Sequence, residues 1–283
     1  MSKILVTGGA GFIGTNLIIE LIKNNHQITS IDNYSIGKRE NHQIGVNYIN
    51  GDVNNIKELV NNDFDICFHL AGLSRIQPSF INPEETFQSN AAGVLKILEW
   101  ARINRTKVIY SGSSSFHKNP VLSPYAMFKY LGEEICKLYR ASFGLNVEIV
   151  RFYNVYGPFE IKSGKWAAVI GLWRNISEKG GIIEIVGDGE QRRDFTHVDD
   201  IVDGLLKIGF SKQTHNDAWE LGSGENLSLN QVYNLFKLKF GAEKKYIKDQ
   251  PGNYRETIRK NDDALKRLQW KPKKKLEDYI KKL

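Results

Sequence analysis

Short apolar runs and helical patterns alternate along the first half of the chain. The predicted strands are 4–7, 27–31, 46–49, 65–70, 107–110 and 147–152. The predicted helices lie between them, at 12–22, 56–60, 84–102 and 125–143. Parallel strands need such helical crossovers, which are right-handed almost without exception. The alternation therefore predicts a parallel sheet with helices on both faces.

The second half of the chain follows a different pattern. After residue 158 the alternation gives way to glycine-rich, mixed segments. One more strand is predicted near 219–221, where we expect the chain to return to the sheet. The remaining segments predict a second, smaller lobe.

Composition narrows the class of protein. The chain has 283 residues, 41% hydrophobic and 25% charged, which is typical of a folded globular protein of one or two domains. No apolar leader precedes the first strand and no apolar stretch reaches 18 residues, so we expect a cytoplasmic protein without a membrane span. Cys67 and Cys136 have no CxxC partner and no histidine at metal-binding spacing. Neither a disulfide framework nor a metal site is expected.

The positive charge is concentrated near the end of the chain. The formal net charge is +7, and residues 237–283 hold 16 lysines and arginines against 7 acidic residues. No aromatic residues alternate with these lysines to stack on bases, so we expect no nucleic-acid partner. A solvated basic surface is the favoured interpretation, and a weak attraction of acidic ligands stays open.

A glycine pattern, TGGAGFIG at 7–14, lies between the first predicted strand and the first predicted helix. Gly8 permits a tight turn, Gly11 lets the backbone approach a pyrophosphate, and Gly14 allows the helix to pack closely on the strand. The free N–H groups at the start of the helix favour an anion. Asp32 closes the second strand, where its carboxylate can bind both ribose hydroxyls and repel a 2′-phosphate. These features predict a site for NAD rather than NADP.

Two more loops, 51–53 and 70–72, follow predicted strands at the edge where open sheets bind ligands. Together with the glycine turn they predict an α/β fold, a Rossmann-type doubly wound parallel sheet with a smaller C-terminal substrate-binding lobe. We assign residues 1–155 to the NAD-binding domain, with a return near 192–223. The lobe is assigned 156–191 and 224–283.

Tyr125 and Lys129 stand four residues apart on one face of a predicted helix that Pro124 can start. A tyrosine phenol has a pKa of about 10. A neighbouring ammonium and an oxidised nicotinamide would lower that pKa. The serine-rich segment 111–115 ends the preceding strand, and a hydroxyl there can bind the substrate oxygen that the phenol deprotonates. The arrangement predicts acid–base catalysis beside the cofactor.

On these motifs the chain resembles the extended short-chain dehydrogenase/reductase family, and within it the nucleotide-sugar 4-epimerases that act on UDP-glucose and UDP-N-acetylglucosamine. The matching segments are TGGAGFIG at 7–14, Asp32-Asn33, HLAG at 69–72, YAMFK at 125–129, RFYNVYGP at 151–158 and GDGEQRRDFTHVDD at 187–200. The resemblance covers nearly the whole chain. It implies that the smaller lobe binds a nucleotide sugar.

The resemblance implies roles for individual residues around the cofactor. Tyr125 would be the general acid/base. Lys129 would modulate the pKa of Tyr125 and bind the cofactor. Ser113 would supply the partner hydroxyl, and Ser114 is the less favoured alternative for that role. The implied cofactor contacts are Gly8, Gly11, Phe12, Ile13, Gly14, Asp32, Asn33, Asp52, Val53, Leu70, Ala71, Gly72, Asn90, Tyr125 and Lys129. Asn90 would order backbone and water near the site.

The resemblance also implies contacts to the substrate. Asn154 and Arg193 would contact the diphosphate, and a guanidinium can hold phosphate oxygens in a bidentate way. Ala168 and Val169 belong to a loop that lays its backbone beside the nucleotide. Ser113 and Ser114 would face the sugar. A nucleotide sugar is therefore the expected partner, with UDP favoured.

The chain departs from this family at two places. Ser113 and Tyr125 are only twelve positions apart, about a dozen fewer than usual, so we expect a more open sugar pocket on that side. Segment 250–253 reads QPGN where the family often has Arg-x-Gly-Asp. A phosphate contact and a ribose carboxylate are thereby lost, and Arg255 would take over part of this role.

The reaction follows from the residues beside the catalytic hydroxyl. A related 4,6-dehydratase has Asp-Glu after a threonine, whereas Ser114 and Ser115 here cannot act as acid or base. The glutamate of related decarboxylases is absent, and Asp32 disfavours the NADPH of a net reductase. The resemblance implies a 4-epimerase that oxidises C4, lets the 4-keto sugar rotate and returns the hydride.

Alternative functions remain at this point. A nucleotide-sugar 4-dehydrogenase or a 4,6-dehydratase is the enzymatic alternative, since the same residues perform the first half-reaction. A non-catalytic NAD-binding scaffold is the alternative from another class. The resemblance further implies a homodimer in which helices 84–102 and 125–143 of two copies pair.

Overall fold

A computed structural model describes residues 1–60 and 63–283. Its strands are β1 (Lys3–Thr7), β2 (Gln27–Asp32), β3 (Asn47–Asn50), β4 (Ile66–His69), β5 (Lys107–Ser113), β6 (Val147–Phe152), β7 (Val155–Tyr156), β8 (Ile182–Val186), β9 (Arg192–Asp194), β10 (Thr196–His197), β11 (Ala218–Leu221), β12 (Asn226–Ser228) and β13 (Glu243–Ile247). Its helices are α1 (Phe12–Lys23), α2 (Ile56–Leu59), α3 (Ile76–Ile81), α4 (Pro83–Phe87), α5 (Gly93–Asn104), α6 (Pro124–Phe143), α7 (Val169–Glu178), α8 (Val198–Phe210), α9 (Leu229–Phe240), α10 (Asp263–Leu268) and α11 (Leu276–Lys282).

Seven strands form one parallel sheet in the order β3-β2-β1-β4-β5-β6-β11. The chain winds outward from β1 in one direction and from β4 in the other. The strand order therefore reverses between β1 and β4, and a crevice opens at the carboxyl ends of the strands at such a point. The predicted doubly wound α/β fold is confirmed, including the return of the chain to the sheet at β11.

The strands bury both of their faces, because successive side chains point to opposite sides of a sheet. Leu5 and Cys67 pack into the cluster beneath α5 and α6. Val6 and Phe68, each the next residue along, pack into the cluster beneath α1 and α8. A continuous apolar run such as 4–6 is thus explained by helices on both faces.

Some element boundaries differ from those the sequence predicts. Strand β5 extends to Ser113, because its ladder with β6 continues to the pair Ser113 and Phe152. The predicted helix 84–102 is present as α4, a π-helical turn over Gln88–Ala92 and α5. The predicted helix 56–60 is a single turn, α2.

The smaller lobe has its own core, in which α7, α9 and α11 pack around β8. Within the predicted lobe, however, Ala264, Leu268 and Trp270 pack with α8 on the face of the large sheet. This segment belongs by packing to the sheet domain, and the domain limits otherwise stay a prediction. None of the helices in the described part of the chain is long and apolar enough to cross a membrane.

Candidate active site

A cleft of about 600 Å³ lies at the carboxyl ends of the strands, between the sheet and the smaller lobe. Its walls come from the glycine turn after β1, the loops after β2 to β5, the start of α6 and the segment before α7. This is the crevice that the reversal of strand order creates. Most of the residues singled out from the sequence therefore meet in one place.

The glycine turn leaves no room for side chains. Gly8 has a φ of +72°, and a Cβ atom there would lie 2.8 Å from the backbone nitrogen of Ala71. A Cβ on Gly14 would lie 2.2 Å from the carbonyl oxygen of Gly8. Helix α1 starts after Gly11 without a side-chain cap, so its first N–H groups stay open toward the cleft. This cradle fits a pyrophosphate.

Asp32 ends β2 with a nearly buried carboxylate that lines the cleft. Its Oδ2 accepts a hydrogen bond from the backbone nitrogen of Ala10 at 3.0 Å, and its Oδ1 accepts one from Tyr34 at 2.8 Å. Burial raises the pKa of Asp32 and these hydrogen bonds oppose the rise. A carboxylate held in this way fits the predicted role of binding ribose hydroxyls. Asn33, which donates to Asp52 at 2.9 Å, lies beside it on the cleft wall.

The predicted catalytic side chains form a connected group. The Tyr125 hydroxyl donates to Ser113 Oγ at 3.2 Å, and Ser115 Oγ lies 2.8 Å from the same atom. Lys129 Nζ, one turn further along α6, donates to the carbonyl oxygen of Ser111 at 2.9 Å. Ser123 fixes the start of the helix, because its Oγ accepts from the nitrogen of Ala126 at 3.1 Å. Ser114 also lines the cleft.

Burial governs the protonation of this group. It raises the pKa of Tyr125, against the hydrogen bond that Tyr125 shares with Ser113 and the charge of Arg75. It lowers the pKa of Lys129 to about 8. The sequence predicts a lowered phenol pKa when an oxidised nicotinamide is bound, and this stays a prediction. In the chain without cofactor, desolvation outweighs the charge of Arg75. The charge of the oxidised nicotinamide is then the remaining influence that can favour the phenolate.

Asn90 lies behind the loop that forms the cleft wall. It is buried on the π-helical turn, its Oδ1 accepts from the nitrogen of Leu73 at 2.8 Å, and its Nδ2 donates to the carbonyl oxygen of Leu73 at 2.8 Å. This pair of hydrogen bonds fixes the loop that carries Gly72. Asn90 does not line the cleft, so it orders the backbone rather than touching a ligand from this position.

Not all of the residues expected to bind substrate line the cleft. Asn154, Ala168, Val169 and Arg193 line the cleft. Burial lowers the pKa of Arg193, and no carboxylate in the described residues lies within 4 Å of its guanidinium. Arg255 does not line the cleft, because its exposed guanidinium pairs with Asp188 at 2.8 Å. Its proposed role at the phosphate has no support in this arrangement.

The short connection between Ser113 and Tyr125 is anchored on both sides. His117 contacts Glu220, and the ring of Phe116 lies 3.6 Å from the guanidinium carbon of Arg151. The turn 250–253 packs against the connection, since a Cβ on Gly252 would lie 3.2 Å from the carbonyl oxygen of Leu122. The expected opening on this side is therefore partly covered by the lobe.

Sequence reasoning missed several polar residues that line the cleft, among them Arg75, Glu160 and Tyr254. Arg75 lies three residues after the 70–72 loop, so a cation after the end of β4 was the available signal. Glu160 is buried, and burial raises its pKa to about 7. Burial also raises the pKa of Tyr254 to about 12. No local pattern distinguishes Glu160 or Tyr254 from ordinary loop residues.

Comparisons with known proteins agree with this site. The family model described as NAD dependent epimerase/dehydratase matches residues 4–222. A putative UDP-glucose 4-epimerase of Methanocaldococcus jannaschii is 31% identical over 99% of this chain and 96% of its own length. A UDP-N-acetyl-alpha-D-glucosaminuronate decarboxylase of Bacillus cytotoxicus is 29% identical over 93% of this chain and 90% of its own length.

A solved structure extends the likeness to three dimensions. The UDP-glucose 4-epimerase of Thermotoga maritima, crystallised with UDP-glucose, superposes with a TM-score of 0.91 at 30% identity, over 99% of this chain and 96% of that one. The family match covers well over half of the chain and includes most of the residues that line the cleft. The chain therefore belongs to the NAD-dependent epimerase/dehydratase family.

Proposed function

We propose that the protein is a nucleotide-sugar 4-epimerase that uses NAD and acts on a UDP-hexose. The observation that carries the proposal is the hydrogen-bonded pair of Tyr125 and Ser113 in the same cleft as the glycine turn and Asp32. The 4-epimerases among the relatives support it.

Tyr125 and Ser113 can hold one substrate oxygen between them. Their hydroxyls are 3.2 Å apart, so a sugar hydroxyl bound there can give its proton to Tyr125 while it accepts a hydrogen bond from Ser113. Ser115, at 2.8 Å from Ser113, keeps that hydroxyl oriented. Bound NAD supplies the acceptor for the C4 hydride and the source from which it returns. Tyr125 gives the proton back, so the protein ends the cycle in its starting state.

The residues beside Ser113 favour epimerisation over elimination. Ser114 and Ser115 carry hydroxyls, and neither supplies the acid or base that removal of water across C5 and C6 needs. Ser115 is moreover engaged with Ser113. With no elimination step available there, the 4-keto sugar is reduced again after it has turned in the cleft.

Asn154 and Arg193 are the proposed contacts to the nucleotide diphosphate. Arg193 lines the cleft with a guanidinium that has no carboxylate within 4 Å among the described residues. Asn154 is oriented by donating to Thr257 Oγ1 at 3.0 Å. A diphosphate held by these two residues would leave the sugar facing Tyr125.

The test is product analysis by NMR. Protein loaded with NAD is incubated with UDP-, GDP-, dTDP- and CDP-hexoses in deuterated water. We expect a C4-inverted UDP-sugar, no net NADH and no deuterium at C5. Deuterium at C5 with a 6-deoxy-4-keto product would show a 4,6-dehydratase, and accumulating NADH would show a 4-dehydrogenase.

Matched tyrosine variants show whether Tyr125 carries the reaction. Tyr125→Phe should lower turnover by about 10²–10⁴. Tyr130→Phe, on the same helix but outside the cleft wall, should leave turnover within about twofold. NAD binding without turnover of any sugar nucleotide in the unmodified protein would instead support a non-catalytic scaffold.

We also propose a homodimer formed through α4, α5 and α6. These helices expose large apolar side chains, namely Phe87, Leu95, Ile103, Leu131, Leu138 and Phe143. Apolar residues spread along these three helices fit a second copy of the same surface. Light scattering should give twice the chain mass of 32.3 kDa, and a monomer at micromolar concentration would contradict the proposal. Location in the cytoplasm stays a prediction.

A further inference from the structure

Arg75 is a cation in the cleft to which the proposed reaction gives no role. It stands directly before α3, after the loop that ends β4, and its side chain lines the same wall as Ser113 and Tyr125. Its position there is fixed by the backbone. Nε donates to the carbonyl oxygen of Trp166 at 3.0 Å, and Nη1 donates to that of Ser74 at 3.0 Å.

The guanidinium of Arg75 keeps unused hydrogen-bonding capacity. Two of its five N–H groups are bonded, which leaves the Nη2 edge free for a ligand. In the described part of the chain no Asp or Glu oxygen lies within 4 Å of it. The cleft carboxyl of Glu160 acts on the pKa of Arg75 from a greater distance, and burial raises the pKa of Glu160 itself to about 7, so this carboxyl is not a fully charged partner near neutral pH. Burial of a charge without a close ion-pair partner is unfavourable, so a cation held this way is suited to an anion that arrives with the substrate.

Arg75 is placed at the sugar end of the cleft. Helix α3, which Arg75 precedes, touches the start of α6, where Ser79 Oγ accepts from the backbone nitrogen of Tyr125 at 3.1 Å. Arg75 and Tyr125 both line the cleft, and the charge of Arg75 opposes the rise in the pKa of Tyr125. Arg193 stands on a different element, β9, where the diphosphate is proposed to bind.

Of the described residues that line the cleft, Arg75 and Arg193 each have a guanidinium with no carboxylate within 4 Å, and a nucleotide diphosphate accounts for one of them. The second needs an anionic group near the oxygen that Tyr125 deprotonates. In a hexose the exocyclic C6 is attached to C5, the neighbour of C4, and a carboxylate at C6 would lie beside the C4 oxygen. A guanidinium binds a carboxylate in a bidentate way that lysine cannot match.

We propose that Arg75 binds a C6 carboxylate, so that the substrate is a nucleotide-linked hexuronate rather than a neutral hexose. This inference rests on the proposed function and narrows its substrate class. Arg75 is then a specificity-determining residue: it recognises a group next to the reacting carbon and takes no part in the proton transfer.

The test is a binding comparison that does not depend on turnover. Isothermal titration measures the Kd of UDP, UDP-glucose and UDP-glucuronate for the full chain loaded with NAD. The unmodified protein should bind UDP-glucuronate more tightly than UDP-glucose. Arg75→Gln should weaken the binding of UDP-glucuronate by about ten- to a hundredfold, as expected for a lost charged hydrogen bond, and the binding of UDP by less than about threefold. Arg75→Lys keeps the charge but not the bidentate geometry. Its Kd for UDP-glucuronate should lie between those of the unmodified protein and Arg75→Gln.

Two controls separate direct contact from other effects. Lys162→Gln removes an exposed positive charge from the loop that carries Trp166 but lies outside the cleft wall, and it should leave all three Kd values unchanged. Arg193→Gln should weaken all three ligands, because each carries the diphosphate. Normal binding of NAD by Arg75→Gln would show that the variant is folded.

The outcomes distinguish this inference from the function on which it rests. If Arg75→Gln weakens UDP, UDP-glucose and UDP-glucuronate equally, Arg75 contacts the diphosphate and the inference is wrong. If UDP-glucose is epimerised and binds as tightly as UDP-glucuronate, the inference fails while the epimerase proposal stands. Failure of the protein to bind any of the three would overturn both.

Discussion

Replacement of Lys129 by methionine should stabilise the protein while it slows the reaction. Lys129 is buried on α6, with a single hydrogen bond from Nζ to the carbonyl oxygen of Ser111 at 2.9 Å. Burial lowers its pKa from an ordinary value of 10.5 to about 8. The folded protein therefore binds this proton less tightly than the unfolded chain does, and at neutral pH the charged side chain lowers the free energy of unfolding.

The size of the effect follows from the pKa difference. Each pKa unit is worth about 1.4 kcal/mol, so the lowering corresponds to about 3 kcal/mol at pH 7. The hydrogen bond to Ser111 that methionine cannot make offsets about 1 kcal/mol. Lys129→Met should therefore raise the free energy of unfolding by about 2 kcal/mol, or the Tm by about 4 °C for a chain of this length.

The stability cost of the charged lysine should decrease as the pH rises. The cost of the charged lysine is fully present below the folded pKa of about 8 and disappears as the pH rises toward 10.5. The stability of the unmodified protein should thus rise relative to the variant through this window. Between pH 7 and pH 9 the advantage of Lys129→Met should shrink by about 1 kcal/mol.

Urea unfolding of the cofactor-free protein at pH 7 and pH 9, followed by circular dichroism, measures both quantities. Lys137→Met is the matched control on the same helix. The pKa of Lys137 is raised, since pairing with Glu134 and Asp217 outweighs its partial burial, so its loss should not stabilise the fold. A Lys129→Met variant less stable than the unmodified protein at pH 7, or an advantage that does not change with pH, would refute the reasoning.

Three further predictions concern the cofactor, the substrate and the core. Asp32→Ala should weaken the binding of NAD by about tenfold and reduce the discrimination against NADP, because the ribose contact and the repulsion of a 2′-phosphate are both lost. Fluorescence titration measures both affinities, and an unchanged preference for NAD would show that Asp32 does not contact the cofactor. Arg193→Leu should raise the KM for a UDP-sugar by about tenfold or more with normal NAD affinity; unchanged KM would exclude the diphosphate contact. Glu133→Leu should lower the free energy of unfolding, measured in urea, by about 3 kcal/mol, because it leaves the buried guanidinium of Arg151, 2.8 Å from Glu133, without that partner. A smaller loss of stability than that caused by Glu277→Leu, at an exposed position, would contradict this.

The fold could be predicted because its signals are local. Apolar runs of four to six residues separated by helical patterns are read directly from the sequence, and a parallel sheet is the arrangement that buries such strands on both faces. The ends of elements were less well predicted, because they depend on neighbours. The polar segment 111–113 resembles the end of a strand, yet β5 continues through it since β6 provides the pairing partner.

The sequence by itself determined the chemistry that short segments carry. The glycines at 8, 11 and 14 suit a turn that excludes side chains, and Tyr125 and Lys129 share a helix face because of their spacing. Asp32 follows from its place at the end of a strand. In each case the geometry is set by a few consecutive residues, whose conformations are limited by the backbone and by the period of the helix.

Only the tertiary structure decided which charges reach the cleft and how they titrate. Arg255 points to Asp188 and away from the cleft, while Arg75 is directed into it by the carbonyl of Trp166, ninety-one residues away in the chain. The raised pKa of Tyr125 likewise comes from burial that the sequence does not display. Desolvation and ion pairing depend on the atoms that surround a group in space, and those atoms come from segments far apart in sequence.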